Sequence, residues 1–169
     1  MKKIKTSQTV EDMYLDLLKK SLTRYIFDDG YLSLSARTHG KAKDVVYTAL
    51  YKSLDTFNLE LVKHNQFNPA LREVGKDWPA NAETMIGLKR LDNIQECITD
   101  ILAKKIQGDL IETGVWRGGA TIFMRAVLKA NDVKNRTVWV ADSFKGLPKT
   151  TEKSHKQDII DKLWSFHQL

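Results

Sequence analysis

"GDLIETGVWRGGATIFMRAVL", residues 108–128, reads as a strand, a glycine turn and a helix. Asp109 to Thr113 is a short strand and Gly119 to Asn131 a helix. In that helix Ile122, Phe123, Ala126, Val127 and Ala130 form one apolar stripe, which Met124 and Leu128 widen. Apolarity over so much of the surface predicts deep packing. Thr137 to Ala141 follows as a strand without polar alternation, the pattern of a strand buried on both faces of a parallel sheet. Strand, helix and strand within about 33 residues predict a right-handed βαβ unit.

The loop Gly114-Val115-Trp116-Arg117-Gly118-Gly119 lacks the Gly-Lys-Ser/Thr of a triphosphate loop. It also lacks the G-x-G-x-x-G spacing of dinucleotide enzymes, because its second glycine is displaced. Glycines at such a turn let backbone approach a ligand and leave helix N–H groups facing it. The alternative is a tight turn that only connects two elements. Asp142, 23 residues after Gly119, stands at the tip of the second strand, where a carboxylate binds both ribose hydroxyls. The alternative for Asp142 is a turn former before Ser143 and Gly146. Glu112 ends the first strand, and its charge repels a pyrophosphate but suits an ammonium group. S-adenosylmethionine carries an ammonium, a carboxylate, a sulfonium and a ribose but no phosphate. In that reading Glu112 faces the amino group, Arg117 or the loop N–H groups meet the carboxylate, and Asp142 holds the ribose. The loop chemistry thus favours a methyl donor over a nicotinamide cofactor.

Upstream, the pattern is helical. Residues 9–27 place Val10, Met13, Tyr14, Leu17, Leu18, Tyr25 and Ile26 on one face, with a capping box at Thr9 and Asp12 and a stop at Asp29-Gly30. Residues 41–64 predict a second helix through Val46, Leu50, Leu54, Phe57 and Leu61. Residues 65–80, with Asn68-Pro69, Gly75 and Trp78-Pro79, predict a loop. A third helix, residues 85–105, buries Leu88, Leu91, Ile94, Ile98, Ile101 and Leu102. No strand is expected in the first hundred residues. The domain division is a mainly helical region, 1–105, with a capping segment, and a cofactor-binding portion, 106–169.

The 169 residues carry a net charge of +6 and are 42% hydrophobic, which bounds the chain to one ordinary domain or one with an extension. Mean hydropathy is −0.38, that of a soluble globular chain. The lysines are scattered among acids, without a basic run interleaved with aromatics, so a solvated surface is expected rather than nucleic-acid binding. No window has the roughly 18 apolar residues of a membrane span. The start, Met1-Lys2-Lys3-Ile4-Lys5, lacks a following apolar core, so no export is expected. The single Cys97 fits a reducing cytoplasm and reads as a buried structural thiol.

The stretches "DLIETGVWRGGATIFMRAVL", "VWVADSFKGLP" and "ETMIGLKRLDNIQECI" resemble the macrocin O-methyltransferase family, and "YLDLLKKSLTRYIFDDG" is similar to its helical N-terminal region. The resemblance spans Tyr14 to about Pro148. It implies an α/β fold: an N-terminal helical region followed by an incomplete Rossmann-like methyltransferase βαβ unit with a parallel sheet. It implies S-adenosylmethionine as cofactor, a divalent metal such as Mg2+, and a sugar hydroxyl of a natural product as acceptor. Glu112, Gly114, Gly118 and Asp142 would line the cofactor site, with Gly119 in the same loop. Ser143 would lie beside the adenosine, and Thr84, Met85 and Ile86 would close over it. For Met85 and Ile86 ordinary packing at a helix start is the alternative.

The family's sheet has about seven strands, with acidic metal ligands at later strand ends; this sequence offers two strands and no Asp-x-Asp cluster. Residues 154–169, "SHKQDIIDKLWSFHQL", resemble a lid segment cut off before the next family element. His155 and His167 lack partners at ligand spacing and read as surface histidines. The expectation is a truncated methyltransferase without catalytic or metal residues, inactive alone, cytoplasmic and homo-oligomeric. The competing classes are a non-catalytic cofactor-binding or interaction module and a nicotinamide-dinucleotide-binding fragment.

Overall fold

A computed structural model describes residues 8–27, 31–33, 50, 52–64, 66–77, 79, 81–146, 148–151 and 153–157. The elements in order are α1 (Val10–Leu22), β1 (Tyr31–Ser33), β2 (Val62–His64), α2 (Pro69–Val74), α3 (Leu88–Ala103), β3 (Leu110–Thr113), α4 (Gly119–Ala130) and β4 (Val138–Ala141). β3 and β4 pair in parallel, Leu110 with Val138 through Thr113 with Ala141, and α4 connects them. This is the expected βαβ unit, and the fold is α/β with part of a Rossmann-like sheet.

The core lies where α1 and α3 pack on α4. Leu15 and Leu22 of α1, Leu91 and Ile98 of α3, and Phe123, Met124, Ala126, Val127 and Leu128 of α4 form one buried cluster. Leu110 and Val138 pack against it from the sheet. Each fully buried Leu, Met or Phe contributes roughly 1.5–3 kcal/mol. The helical region and the βαβ unit therefore share one core.

Several expectations are corrected. α1 does begin with the Thr9–Asp12 capping box, but it ends at Leu22, not near residue 27. Arg24 adopts φ 55°, and Tyr25 N–H bonds Lys20 O at 2.8 Å while Arg24 N–H bonds Ser21 O at 3.0 Å. That is a Schellman stop with arginine at the position glycine usually takes. The arginine side chain offsets the strain by donating to Asn81 O at 3.0 Å. The Asp29-Gly30 stop lies outside the described residues. The inward face of α1 also differs: Leu15 and Leu22 are buried, while Val10, Met13, Tyr14 and Leu17 are exposed.

The predicted 41–64 helix is contradicted in its second half, and its first half, through residue 49, is outside the described residues. Residues 52–55 are helical, but Asn58 turns left-handed at φ 53° and Leu59 N–H bonds back to Leu54 O. Val62–His64 is then a strand, antiparallel to Tyr31–Ser33. The first hundred residues thus do contain strands. The predicted 65–80 loop holds α2: Asn68 caps it by accepting from Leu71 N–H at 3.2 Å, Pro69 opens it, and Gly75 closes it. These residues are helix punctuation as much as loop punctuation. Cys97 is exposed on α3, not a buried thiol. β4 is not covered on both faces by described residues, since Trp139 is 57% exposed.

Candidate functional site

The site is built at the carboxyl ends of the two parallel strands, where α/β sheets bind ligands. The register sets Glu112 opposite Val140 and Thr113 opposite Ala141, so Glu112 and Asp142 both stand at that end. Gly114 N–H donates to Ala141 O at 3.0 Å and carries the ladder into the loop. Gly114 and Gly118 have φ 77° and 79°, and a Cβ at either would meet no atom within 4 Å. Their glycines are required by backbone conformation, and the loop's outer side is open.

Asp142 fastens this loop. One carboxylate oxygen accepts from Val115 N–H at 2.6 Å and the other from Phe144 N–H at 2.9 Å. These amides, Phe144 first and Val115 next, hold its pKa below the ordinary 3.8 despite some desolvation, and Ser143 adds to the effect. Asp142 is therefore a turn former, and an ionised group at the carboxyl end of the sheet. Ser143 is exposed and its hydroxyl accepts from Lys145 N–H at 3.3 Å.

Arg117 stacks on Trp116, 4.2 Å from guanidinium carbon to ring centre, and donates to Ala82 O at 3.0 Å. Its side chain thus ties the loop to the segment before α3. Gly119 N–H donates to Glu83 O at 3.0 Å. The amides of Val115 and Gly119, two of the loop N–H groups that the sequence pattern leaves for a ligand, bond within the protein. Glu83 N–H in turn donates to Leu22 O at 3.1 Å, and Arg24 pairs with Glu83 at 3.6 Å. A run of polar contacts thereby joins α1, residues 81–84 and the glycine loop.

Thr84 is buried against the start of α4, its Cβ 2.7 Å from where a Gly119 Cβ would stand. Ile86 packs on the core and Met85 is half-buried. Buried Arg72 braces this region from behind: it bonds Asp77, donates to Thr23 O at 2.5 Å and stacks on Phe67.

Three participants were not read from the sequence. Thr121, in the first turn of α4, donates its hydroxyl to Glu112 Oε2. The only trace of this is a hydroxyl residue nine positions after the strand-tip acid. The carbonyls of Ala82 and Glu83 leave none, because main-chain acceptors carry no residue signature. Asp109, at the opposite end of β3, accepts from Thr137 N–H at 2.9 Å and Trp139 Nε1 at 2.8 Å, and these bonds, the amide first, lower its pKa. It fixes the return of the crossover, away from the site. Among the described residues no three His, Cys, Asp or Glu are grouped to hold a metal ion, and His155 is exposed. His167 is outside them. No described helix is long and apolar enough to cross a membrane.

The fold agrees with the comparisons. The family model "Macrocin-O-methyltransferase (TylF)" matches residues 11–169. The chain is 41% identical over 157 residues to mycinamicin III 3''-O-methyltransferase of Micromonospora griseorubida, covering 93% of this chain and 52% of that protein. It is 40% identical over 154 residues to demethyldecarbamoylnovobiocin O-methyltransferase of Streptomyces niveus, covering 91% and 50%. Its fold is similar to the solved structure of the O-methyltransferase NovP, with a TM-score of 0.64 and 39% identity over 88% of this chain and 48% of that one. The chain spans about half the length of the relatives it matches. It belongs to the macrocin O-methyltransferase family.

Proposed function

We propose that these residues form the cofactor-binding part of an S-adenosylmethionine-dependent O-methyltransferase acting on a sugar hydroxyl of a natural product. The observation that carries the reading is the pair of carboxylates, Glu112 and Asp142, at the same end of a parallel sheet, flanking an open glycine loop. Two acids repel a pyrophosphate and suit an ammonium and a ribose. When bound, the cofactor supplies an electrophilic methyl carbon on a sulfonium. Glu112 would face the amino group, Asp142 would accept from the ribose hydroxyls, and Ser143 would lie beside the adenosine. Gly114 and Gly118 would let the backbone approach, with Arg117 and Gly119 keeping residues 82–84 against the loop. Thr84, Met85 and Ile86 would border the closed side. The described residues do not fit a divalent metal, so no proton transfer is assigned to one. The relatives' names support the acceptor class, one of them being an 8-demethyl-8-(2,3-dimethoxy-alpha-L-rhamnosyl)-tetracenomycin-C 4'-O-methyltransferase of Streptomyces olivaceus.

Calorimetric titration of this chain with S-adenosylhomocysteine and with NAD tests the reading. The nucleoside is expected to bind and the dinucleotide not; tighter binding of NAD overturns it.

Asp142→Ala is expected to weaken S-adenosylhomocysteine binding about tenfold or more, since it removes a charged acceptor and loosens Val115 and Phe144. The sign of its pH dependence follows from its lowered pKa. The ionised form prevails above 3.8, and its contribution is lost only as pH falls through the lower folded value. Affinity near neutral pH is therefore insensitive to this group's titration. Unchanged affinity in Asp142→Ala would leave the residue with a turn-forming role alone.

A further inference from the structure

Helical threonines usually return their hydroxyl proton to their own backbone. Among the described residues, Thr23, just past α1, donates to Lys19 O at 2.8 Å, and Thr56, just past the helical residues 52–55, donates to Lys52 O at 2.9 Å. Thr121 does not. It sits in the first turn of α4, half-buried, and donates across the unit to Glu112 Oε2 on β3. A hydroxyl has one proton, so this bond excludes the backbone alternative.

The bond has a consequence for the strand-tip carboxylate. A glutamate side chain turns about three torsions, and holding it in one arrangement costs rotamer entropy. Thr121 meets that cost before any ligand arrives. It fixes one oxygen of Glu112 beside the start of α4, where the helix dipole favours negative charge. The second oxygen, Oε1, is not used by this bond. β-branching limits Thr121 to few χ1 rotamers, and the bond to Glu112 selects among them.

We propose that Thr121 is a positioning residue, which orients Glu112 so that Oε1 meets an ammonium group of the ligand. The inference deepens the proposed function and rests on it. Thr121 touches no reacting atom; it acts through Glu112 on the amino acid end of the cofactor only.

Two ligands separate this role from a structural one. S-adenosylhomocysteine carries the amino acid end, and 5'-methylthioadenosine lacks it while keeping the adenosine. Thr121→Val keeps the branched shape and removes the donor; Thr121→Ser keeps the donor. Calorimetry on the full chain is expected to show Thr121→Val binding S-adenosylhomocysteine about fivefold to tenfold more weakly. Its affinity for 5'-methylthioadenosine should stay within about twofold of the wild type, and Thr121→Ser should restore S-adenosylhomocysteine binding to within about twofold. Equal weakening for both ligands would mean that Thr121 only supports the fold, and unchanged S-adenosylhomocysteine binding would mean that it does nothing for Glu112. Either result overturns the inference and leaves the cofactor reading standing. A wild-type chain that binds neither ligand overturns both.

Discussion

Phe123→Ala is expected to lower the stability of the chain by about 3–5 kcal/mol, the usual cost of emptying a buried aromatic position. Phe123 has no exposed surface and lies in the cluster made by Leu15, Leu22, Leu91, Ile98, Val127 and Leu128. Three helices meet there, and no one of them can collapse into the hole without leaving the other two. The ring also carries the ammonium of Lys19, 5.7 Å from its centre, and that lysine bonds Asp92 at 2.5 Å. The truncation therefore loosens α1 and α3 together. Urea unfolding followed by circular dichroism measures the loss. Ile122→Ala is the control: Ile122 is 47% exposed, so its truncation should cost about 1 kcal/mol or less. Similar losses at both positions would mean that α4 does not anchor the helical region.

The central part of this fold was legible because its signals are local. The apolar stripe of α4 is a periodicity and Val138–Ala141 a short apolar, β-branched run, and both are read from neighbouring residues alone. The glycine loop was legible because φ near 77° at Gly114 excludes most side chains. The end of α1 was not legible for a related reason. α1, α3 and α4 close with left-handed residues at Arg24, Lys105 and Asp132, none of them glycine. Tyr25, Ile106 and Val133 then bond back to Lys20, Ile101 and Leu128. Tertiary contacts, such as Arg24 with Asn81, support a conformation that the residue type alone disfavours.

Other errors came from signals with two meanings. Asn68-Pro69 marks a loop or a helix start, and only the bond from Leu71 N–H decides for the helix. Val62-Lys63-His64 continued a helical spacing, yet its partner strand lies some thirty residues earlier and leaves no local mark. Cys97 fell between the buried positions Leu91 and Ile98 in number but not in angle, since a helix turns about 100° per residue. At the site, residue types named Glu112 and Asp142. They did not reveal that Asp142 also ties down Val115, nor that Arg117 bonds Ala82. Those bonds depend on where two distant backbones meet.

Gly119→Ala is expected to be destabilising by about 1–3 kcal/mol, against the trend of helix propensity, which favours alanine over glycine. Gly119 opens α4 and does not have the left-handed φ of Gly114 and Gly118. Its backbone suits any residue; the space does not. An added Cβ would stand 2.6 Å from Glu83 O and 2.7 Å from both Glu83 C and Thr84 Cβ. Two of these atoms are main chain, so no rotamer change relieves the overlap. Residues 83 and 84 must move off the helix start instead. Gly119 N–H then loses Glu83 O, and Glu83 N–H, bonded to Leu22 O, is pulled with it. The strain should therefore reach the end of α1, and amide exchange at Gly119 and Glu83 should quicken together. Gly118→Ala is the contrast. There no atom lies within 4 Å, and the cost is that of φ 79° for an alanine, about 1 kcal/mol, confined to the loop. A Gly119→Ala chain as stable as the wild type, with slow exchange at Glu83, would show that residues 83–84 rest on the helix start without being held there. Fast exchange at Glu83 in Gly119→Ala but not in Gly118→Ala would show that adjacent glycines serve different ends: one permits a turn, the other permits a neighbour.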